Sequence, residues 1–181
     1  MPVLSAEEFT DLNNNKLRSG LAGIGAVMNR TVATSFDSNN SNAVETALQN
    51  GEYLGFLERD GRPVACGFGK EDALTTGKYQ TIYIHSFAVD GEYRGQGLCQ
   101  TIVNEFIKKF KKHILYLTVR TEEGNVNESA IRCYEKNGFT MLPEVYRDHY
   151  DGKNNAMVRF PTSGKKSRRT MSRQTRRKKK K

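Results

Sequence analysis

Val89-Asp90-Gly91-Glu92-Tyr93-Arg94-Gly95-Gln96-Gly97-Leu98-Cys99 is the stretch on which the reading of this chain turns. Upstream of it, Gln80–Val89 is rich in β-branched and aromatic residues and reads as a strand, broken by Asp90-Gly91. Downstream, Leu98, Ile102, Phe106 and Phe110 recur at helical spacing, with Val103 and Ile107 beside them. Lys108 to Lys112 make the last turn basic, as suits a helix C-terminus. A strand therefore runs through a short glycine-containing loop directly into a helix. The first N–H groups of such a helix have no partner within it, and with the helix dipole they form an anion site. Glycine lets that backbone approach a phosphate closely, and Arg94 adds a charge. A tight strand-to-helix connection without a ligand explains the glycines equally well. Other phosphate patterns are absent: there is no Gly-x4-Gly-Lys-Ser/Thr. Gly23-Ile24-Gly25 and Gly67-Phe68-Gly69 lack a third glycine and do not stand between a strand and a helix.

Working outward, Glu52–Glu58 and Pro63–Lys70 form a hairpin around Arg59-Asp60-Gly61, with Asp-Gly at its tip. Ile114–Val119 is a buried strand, and Glu128–Asn137 a helix with Gly138 just past its end. Phe139–Tyr146 and Asn155–Phe160 close the sheet. The N-terminal part, 1–50, is helical. Ser5 and Glu8 form a capping box for a helix to about Leu12, stopped by Asn13-Asn14-Asn15. Leu17, Leu21, Ile24 and Met28 mark a second helix, Ser38–Asn42 a loop, and Ala43–Gln49 a third helix closed by Asn50-Gly51. The fold class is α+β. The Leu98–Phe110 helix has to cross over between two strands, so a mostly antiparallel twisted sheet must contain one parallel pair.

The chain has 181 residues and a formal charge of +9. That charge is concentrated at one end: residues 165–181 hold 11 Lys and Arg and no acidic residue. Removing those 11 from the 29 basic residues leaves 18 against 20 acidic ones, a net of −2 for the rest. The sequence thus predicts one nearly neutral domain over 1–161 and a basic, disordered tail over 162–181. A nucleic-acid-binding domain that is basic throughout is disfavoured. The tail itself suits a nuclear address, contact with nucleic acid, or plain solubility. Cys66, Cys99 and Cys133 have no metal-ligand spacing, and their odd number argues against a disulfide framework, so a reducing compartment is expected. No metal is expected. The start has no basic region before an apolar run, and the most apolar stretch, Leu21 to Met28, is far short of the roughly 20 residues of a membrane span. The sequence predicts a cytoplasmic or nuclear protein with no membrane partner.

Arg94-x-x-Gly97 after Phe87-Ala88-Val89 resembles the coenzyme-A motif of the GNAT superfamily of N-acetyltransferases, whose usual pattern is Gln/Arg-x-x-Gly-x-Gly/Ala. Cys99 stands at the last small position, a mild departure. Asn127-Glu128-Ser129-Ala130-Ile131-Arg132-Cys133-Tyr134-Glu135-Lys136-Asn137-Gly138-Phe139 resembles the family's second block. The resemblance spans about residues 50–160. It implies the GNAT fold, a sheet whose central parallel pair splays apart, and an acetyl-CoA-dependent N-acetyltransferase. The pantetheine arm would lie in the opening against the backbone of Phe87, Ala88 and Val89. N–H groups of Arg94, Gly95, Gln96, Gly97, Leu98 and Cys99 would hold the pyrophosphate, with Asn127 also at the cofactor. A primary amine would attack the thioester directly, and coenzyme A would leave as a thiolate.

That chemistry needs a base, because an ammonium of pKa about 10.4 has no lone pair, and it gains from an acid at the thiolate. By the resemblance Tyr134 is the acid; as a plain core aromatic it would sit one turn after Ala130 and Ile131. His85 is the candidate base, sharing a strand face with Tyr83, Phe87 and Val89. A structural strand histidine is the competing reading. Many relatives use a glutamate; none lies within Gln80–Val89, leaving Glu52 and Glu71 on neighbouring strands as substitutes.

The segment Tyr146–Met157 resembles the one between the last strands of protein N-terminal acetyltransferases, where tyrosines precede an Asp-Gly turn. Tyr150 fits the peptide-contacting role, and His149 replaces a tyrosine often found beside it. Against this, Thr118 stands where some of those enzymes carry a histidine. Glu122 and Glu123, in the loop Thr121–Val126, could attract a polyamine or simply be solvated. The acceptor is thus a protein N-terminus or lysine, with a polyamine-type small molecule as the alternative. A different class altogether is a noncatalytic GNAT-like module recruited to nucleic acid, or carried by an import receptor, through residues 165–181.

Overall fold

A computed structural model of the chain describes residues 3–5, 8, 47–76, 79–122, 125–143 and 154–162. The expected helices at 5–12 and 17–28, the 38–42 loop and the tail beyond Thr162 lie outside these residues, apart from Ser5 and Glu8. That pair forms the capping box: Ser5 N donates to Glu8 Oε2 at 2.7 Å, and Glu8 N to Ser5 Oγ at 3.2 Å. Lys109 Nζ, 2.6 Å away, also donates to Glu8, and these bonds hold the Glu8 carboxyl down to about 2.

Strands β1 (Val3–Leu4), β2 (Tyr53–Arg59), β3 (Arg62–Thr76), β4 (Tyr79–Val89), β5 (Ile114–Glu122), β7 (Thr140–Met141) and β8 (Asn154–Arg159) form one sheet in the order β1-β2-β3-β4-β5-β8-β7. β6 (Asn125–Val126) pairs with the end of β5. Among the described residues only β4 and β5 run parallel. The crossover is helix α1 (Leu98–Lys109), and α2 (Glu128–Lys136) follows β6. Residues 47–49 are the last turn of a helix. It is closed as expected, with Gly51 at φ 76° and Glu52 N donating to the Ala47 carbonyl at 3.0 Å. The β2–β3 hairpin turns through Asp60 and Gly61, both at positive φ, which is the type I′ geometry that Asp-Gly favours.

The central core lies between the sheet and the two helices: Ile82, Ile84 and Leu117 from the sheet meet Phe106, Phe110 and Tyr134. Phe106 is fully buried and lies over Gly69, where a Cβ would come within 2.9 Å of its ring. β3 and β5 run further than the sequence predicts. The expected Thr121–Val126 loop is instead a paired end, Thr121 opposite Val126, both β-branched. β7 is only two residues long. Pro143 follows almost at once and has no N–H to extend a ladder.

Two further expectations are corrected. Phe68 pairs with His85 but Cys66 with Ala88, so two residues of β3 face three of β4. Ser86, at φ 53°, is the extra residue of this bulge. Alternation therefore breaks, and the predicted common face of Tyr83, His85, Phe87 and Val89 does not exist. Tyr83 and His85 lie on one face, while Phe87 turns to the helix side against Phe106, ring centroids 5.6 Å apart. Second, Cys99 and Cys133 are bonded through sulfur, with Cα atoms 6.6 Å apart. Counting cysteines could not show this, because the pair arises from α1 packing beside α2. Cys66 alone is a free thiol.

Candidate active site

β4 and β5 pair at Thr81–Ile114, Ile82–Leu115 and Tyr83–Tyr116, and then no further. β4 continues along β3 to Val89, and β5 continues along β8 to Arg120. The two strands thus open like a V beyond Tyr83. The Ser86 bulge, which adds local twist to β4, lies within this opening. A side-chain bridge spans its base: Tyr83 Oη and Thr118 Oγ1 are 2.9 Å apart.

The loop at the end of β4 closes one mouth of the V. Asp90 accepts from Glu92 N and starts a 3-10 turn, Gly91–Tyr93. Gly95 and Gly97 follow at φ 77° and 75°. Gly97 is the N-cap of α1 and offers no side-chain hydrogen bond to the helix start. The α1 N–H groups after Gly97 are therefore uncapped. At both glycines the space a Cβ would occupy is open. Backbone donors at a helix start, left-handed glycines and open space in front of them fit a pyrophosphate. Arg94 is exposed beside them, its Nε 3.4 Å from the Val89 carbonyl. Leu98 and Ala88 have buried side chains, so only their backbone is available to a ligand. Gln96 is exposed. Asn127 caps α2, its Oδ1 accepting from Ala130 N at 3.1 Å, which leaves only its NH2 for a ligand.

On the face opposite α1 and α2, four rings line up across three strands. Phe68 to His85, His85 to Tyr83 and Tyr83 to Tyr116 have centroids 5.9, 5.1 and 4.8 Å apart, all within 30° of parallel. Asp72 accepts the Tyr116 hydroxyl, and Lys70 Nζ lies 5.7 Å from the Tyr83 ring. His85 is held at both nitrogens. Its Nδ1 is 3.0 Å from Ser86 Oγ, and its Nε2 is 3.1 Å from Glu52 Oε2. Both of these last atoms are buried, and their contact lies off the line of a hydrogen bond. Glu52 thus reaches the histidine from the residue before β2. Glu71 does not: it accepts from the Tyr53 hydroxyl at 3.2 Å, on the helix side where Tyr53 packs edge-on against Phe110.

Tyr134 approaches from α2, its ring near Phe87 and Phe139. Burial first, and the Tyr83 phenol second, push its hydroxyl above the usual tyrosine range, so it remains a proton donor at neutral pH. Tyr83 is the residue that sequence reasoning passed over. It stacks on His85, bridges to Thr118 and influences Tyr134. Its position at the last parallel pair is the signal that marks it. Glu122 lies in β5, while Glu123 and Tyr150 are outside the described residues.

Residues 29–139 match the Acetyltransferase (GNAT) family. The chain belongs to the GNAT acetyltransferase family. Solved structures resemble this acetyltransferase over most of its length. A chain of the NatC complex bound to Gag peptide and CoA is 19% identical with a TM-score of 0.59, covering 90% of this chain and 100% of that one. Aminoglycoside 6'-N-acetyltransferase complexed with coenzyme A is 15% identical, TM-score 0.61, covering 82% and 93%. A GNAT acetyltransferase from Streptococcus pneumoniae is 21% identical, TM-score 0.57, covering 77% and 92%. At these identities the likeness is one of fold. No curated protein matches in sequence. Among the described residues no group of His, Cys, Asp and Glu is placed to hold a metal, and no helix is long and apolar enough to cross a membrane.

Proposed function

We propose that this acetyltransferase moves the acetyl group of acetyl-CoA to a primary amine by direct attack in a ternary complex. The observation that carries this reading is the uncapped start of α1 behind two left-handed glycines, at the mouth of the β4–β5 opening. Arg94 and the N–H groups from Gly95 to Cys99 hold the pyrophosphate, and the backbone of Phe87, Ala88 and Val89 lines the pantetheine arm. Tyr134 donates its proton, or a hydrogen bond, to the leaving thiolate. His85 takes the proton of the amine through Nδ1, exchanging its Ser86 contact for the amine, with Glu52 beside Nε2 to stabilise the imidazolium that forms.

A protein N-terminus or lysine is the acceptor we favour, in keeping with the likeness to the NatC chain and to the Tyr150 segment. A polyamine-type amine is the second reading, favoured by the likeness to aminoglycoside-modifying enzymes and by Glu122 and Glu123. The tail at 165–181 then serves as a nuclear address or a nucleic-acid contact, in a cytoplasmic or nuclear protein. The test is a panel of peptide N-termini, lysine peptides, polyamines and aminoglycosides, read by thiol release with the full chain. Turnover on one class identifies the acceptor. Tight acetyl-CoA binding with no turnover on any of them would favour the noncatalytic module.

A further inference from the structure

Cys99 and Cys133 join two parts of the site that have different tasks. Cys99 lies in the first turn of α1, among the N–H groups assigned to the pyrophosphate, and Cys133 directly precedes Tyr134 on α2. We propose that this pair is a site of reversible oxidation that fixes the cofactor-binding start of α1 to the Tyr134 helix, so that the oxidised enzyme binds coenzyme A more tightly than the reduced one. The inference rests on the coenzyme site described above.

Three observations support reversibility. Both cysteines are only half-buried, so a small thiol or disulfide can approach. Cys99 sits at the uncapped start of a 12-residue helix, which favours negative charge on a sulfur there and makes it the attacking thiol. Cys66 provides the contrast: it is fully buried, its thiol is pushed up to about 12, and it faces no other cysteine. Only the Cys99–Cys133 pair combines access, polarisation and a partner.

Glutathione disulfide is a sufficient oxidant. The Cys99 thiolate attacks one of its sulfurs, and the first glutathione leaves as a thiolate. Cys133 then attacks the Cys99 sulfur of the mixed disulfide and expels the second glutathione. Two cysteine thiols are oxidised and one glutathione disulfide is reduced. The two thiol protons end on the two glutathiones. The coupling follows from geometry. The tie between helices restricts how far the first turn of α1 can move from α2, so less ordering remains when the phosphates bind.

The experiment equilibrates the full chain in glutathione buffers of graded ratio, maps the cysteines by alkylation and mass spectrometry, and measures coenzyme A affinity by calorimetry in the fully oxidised and fully reduced states. We expect a Cys99–Cys133 cross-link that forms and breaks with the buffer. We expect affinity at least about fivefold tighter when oxidised. Cys133→Ser should form no cross-link at any ratio and, wherever mass spectrometry finds Cys99 free of glutathione, bind with the affinity of the reduced protein; Cys133→Ala serves the same purpose if the serine variant folds poorly. A cross-link that never forms, equal affinity in both states, or tightening in oxidising buffer that survives in Cys133→Ser with Cys99 unmodified would overturn the inference. Absence of coenzyme A binding in both states would instead overturn the site assignment, and the coupling with it.

Discussion

Gly67→Ala tests how β3 makes room for the helix side of the β4 bulge. A methyl group at Gly67 would lie 2.5 Å from both Cδ1 and Cε1 of Phe87. Carbon atoms prefer about 3.5–4.0 Å, so the ring must retreat by about 1 Å. Retreat is blocked by Phe106 and Tyr134, with ring centroids 5.6 and 6.0 Å from that of Phe87, both of them buried. Overpacking of this kind costs about 1–3 kcal/mol. Alanine also reduces the freedom of the unfolded chain, which opposes the loss by about 0.4–1 kcal/mol. The clash wins, and at roughly 2–4 °C per kcal/mol the melting temperature should fall by several degrees. The decisive assay is urea denaturation of Gly67→Ala in two backgrounds, the parent and Phe87→Leu. The smaller side chain removes the ring from the methyl's path, so the second substitution should become nearly neutral. If Gly67→Ala loses the same stability in both backgrounds, within about 0.5 kcal/mol, the two positions are not coupled and the reasoning is wrong.

Gly97→Glu should abolish acetyl-CoA binding by calorimetry, because it puts an anion beside the phosphates. It should cost only about 1–2 kcal/mol of stability for a side chain at φ 75°, since the space around it is open. Tyr134→Phe keeps the packing and removes the hydroxyl, so turnover should fall by about 100- to 10,000-fold while acetyl-CoA affinity holds. The Cys66 thiol ionises near 9.0 when unfolded and near 12 when folded, so its contribution to stability is complete below pH 9 and is lost as pH rises from there toward 12. Denaturation above pH 9 should show a flatter decline in Cys66→Ala. Deleting residues 164–181 should leave the melting temperature and turnover on a small peptide nearly unchanged, while binding to RNA or DNA weakens and its salt dependence flattens.

Local chemistry made much of this fold readable. Ser5 and Glu8 cap one another, Asp60-Gly61 turns the hairpin, and Gly97 opens α1, because in each case a few adjacent residues supply both the signal and the geometry. The glycine loop between β4 and α1 belongs to this class. Features that need two distant segments were not readable. Ser86 at positive φ carries no mark of a bulge, since neither glycine nor asparagine stands there, and strict alternation therefore placed Phe87 on the wrong face. Glu52 meets His85 across β3 and 33 positions of sequence, and Cys99 meets Cys133 across 34. Both meetings depend on how the elements pack, which spacing along the chain does not record.

The bulge at Ser86 has a consequence for how such an enzyme can diversify. Ahead of it, Tyr83 and His85 lie on the face away from α1; behind it, Phe87 looks toward α1 and Tyr134. Strand alternation normally ties the outlook of each residue to that of the one before it, but here that tie is cut. Substitutions at His85 resurface one wall of the opening and leave the footing of the other, Phe87 against Phe106 and Tyr134, undisturbed. On the roles proposed above, choice of amine and handling of the thioester donor become separate variables on one short strand, and a single scaffold can keep its donor while exchanging acceptors of different chemistry.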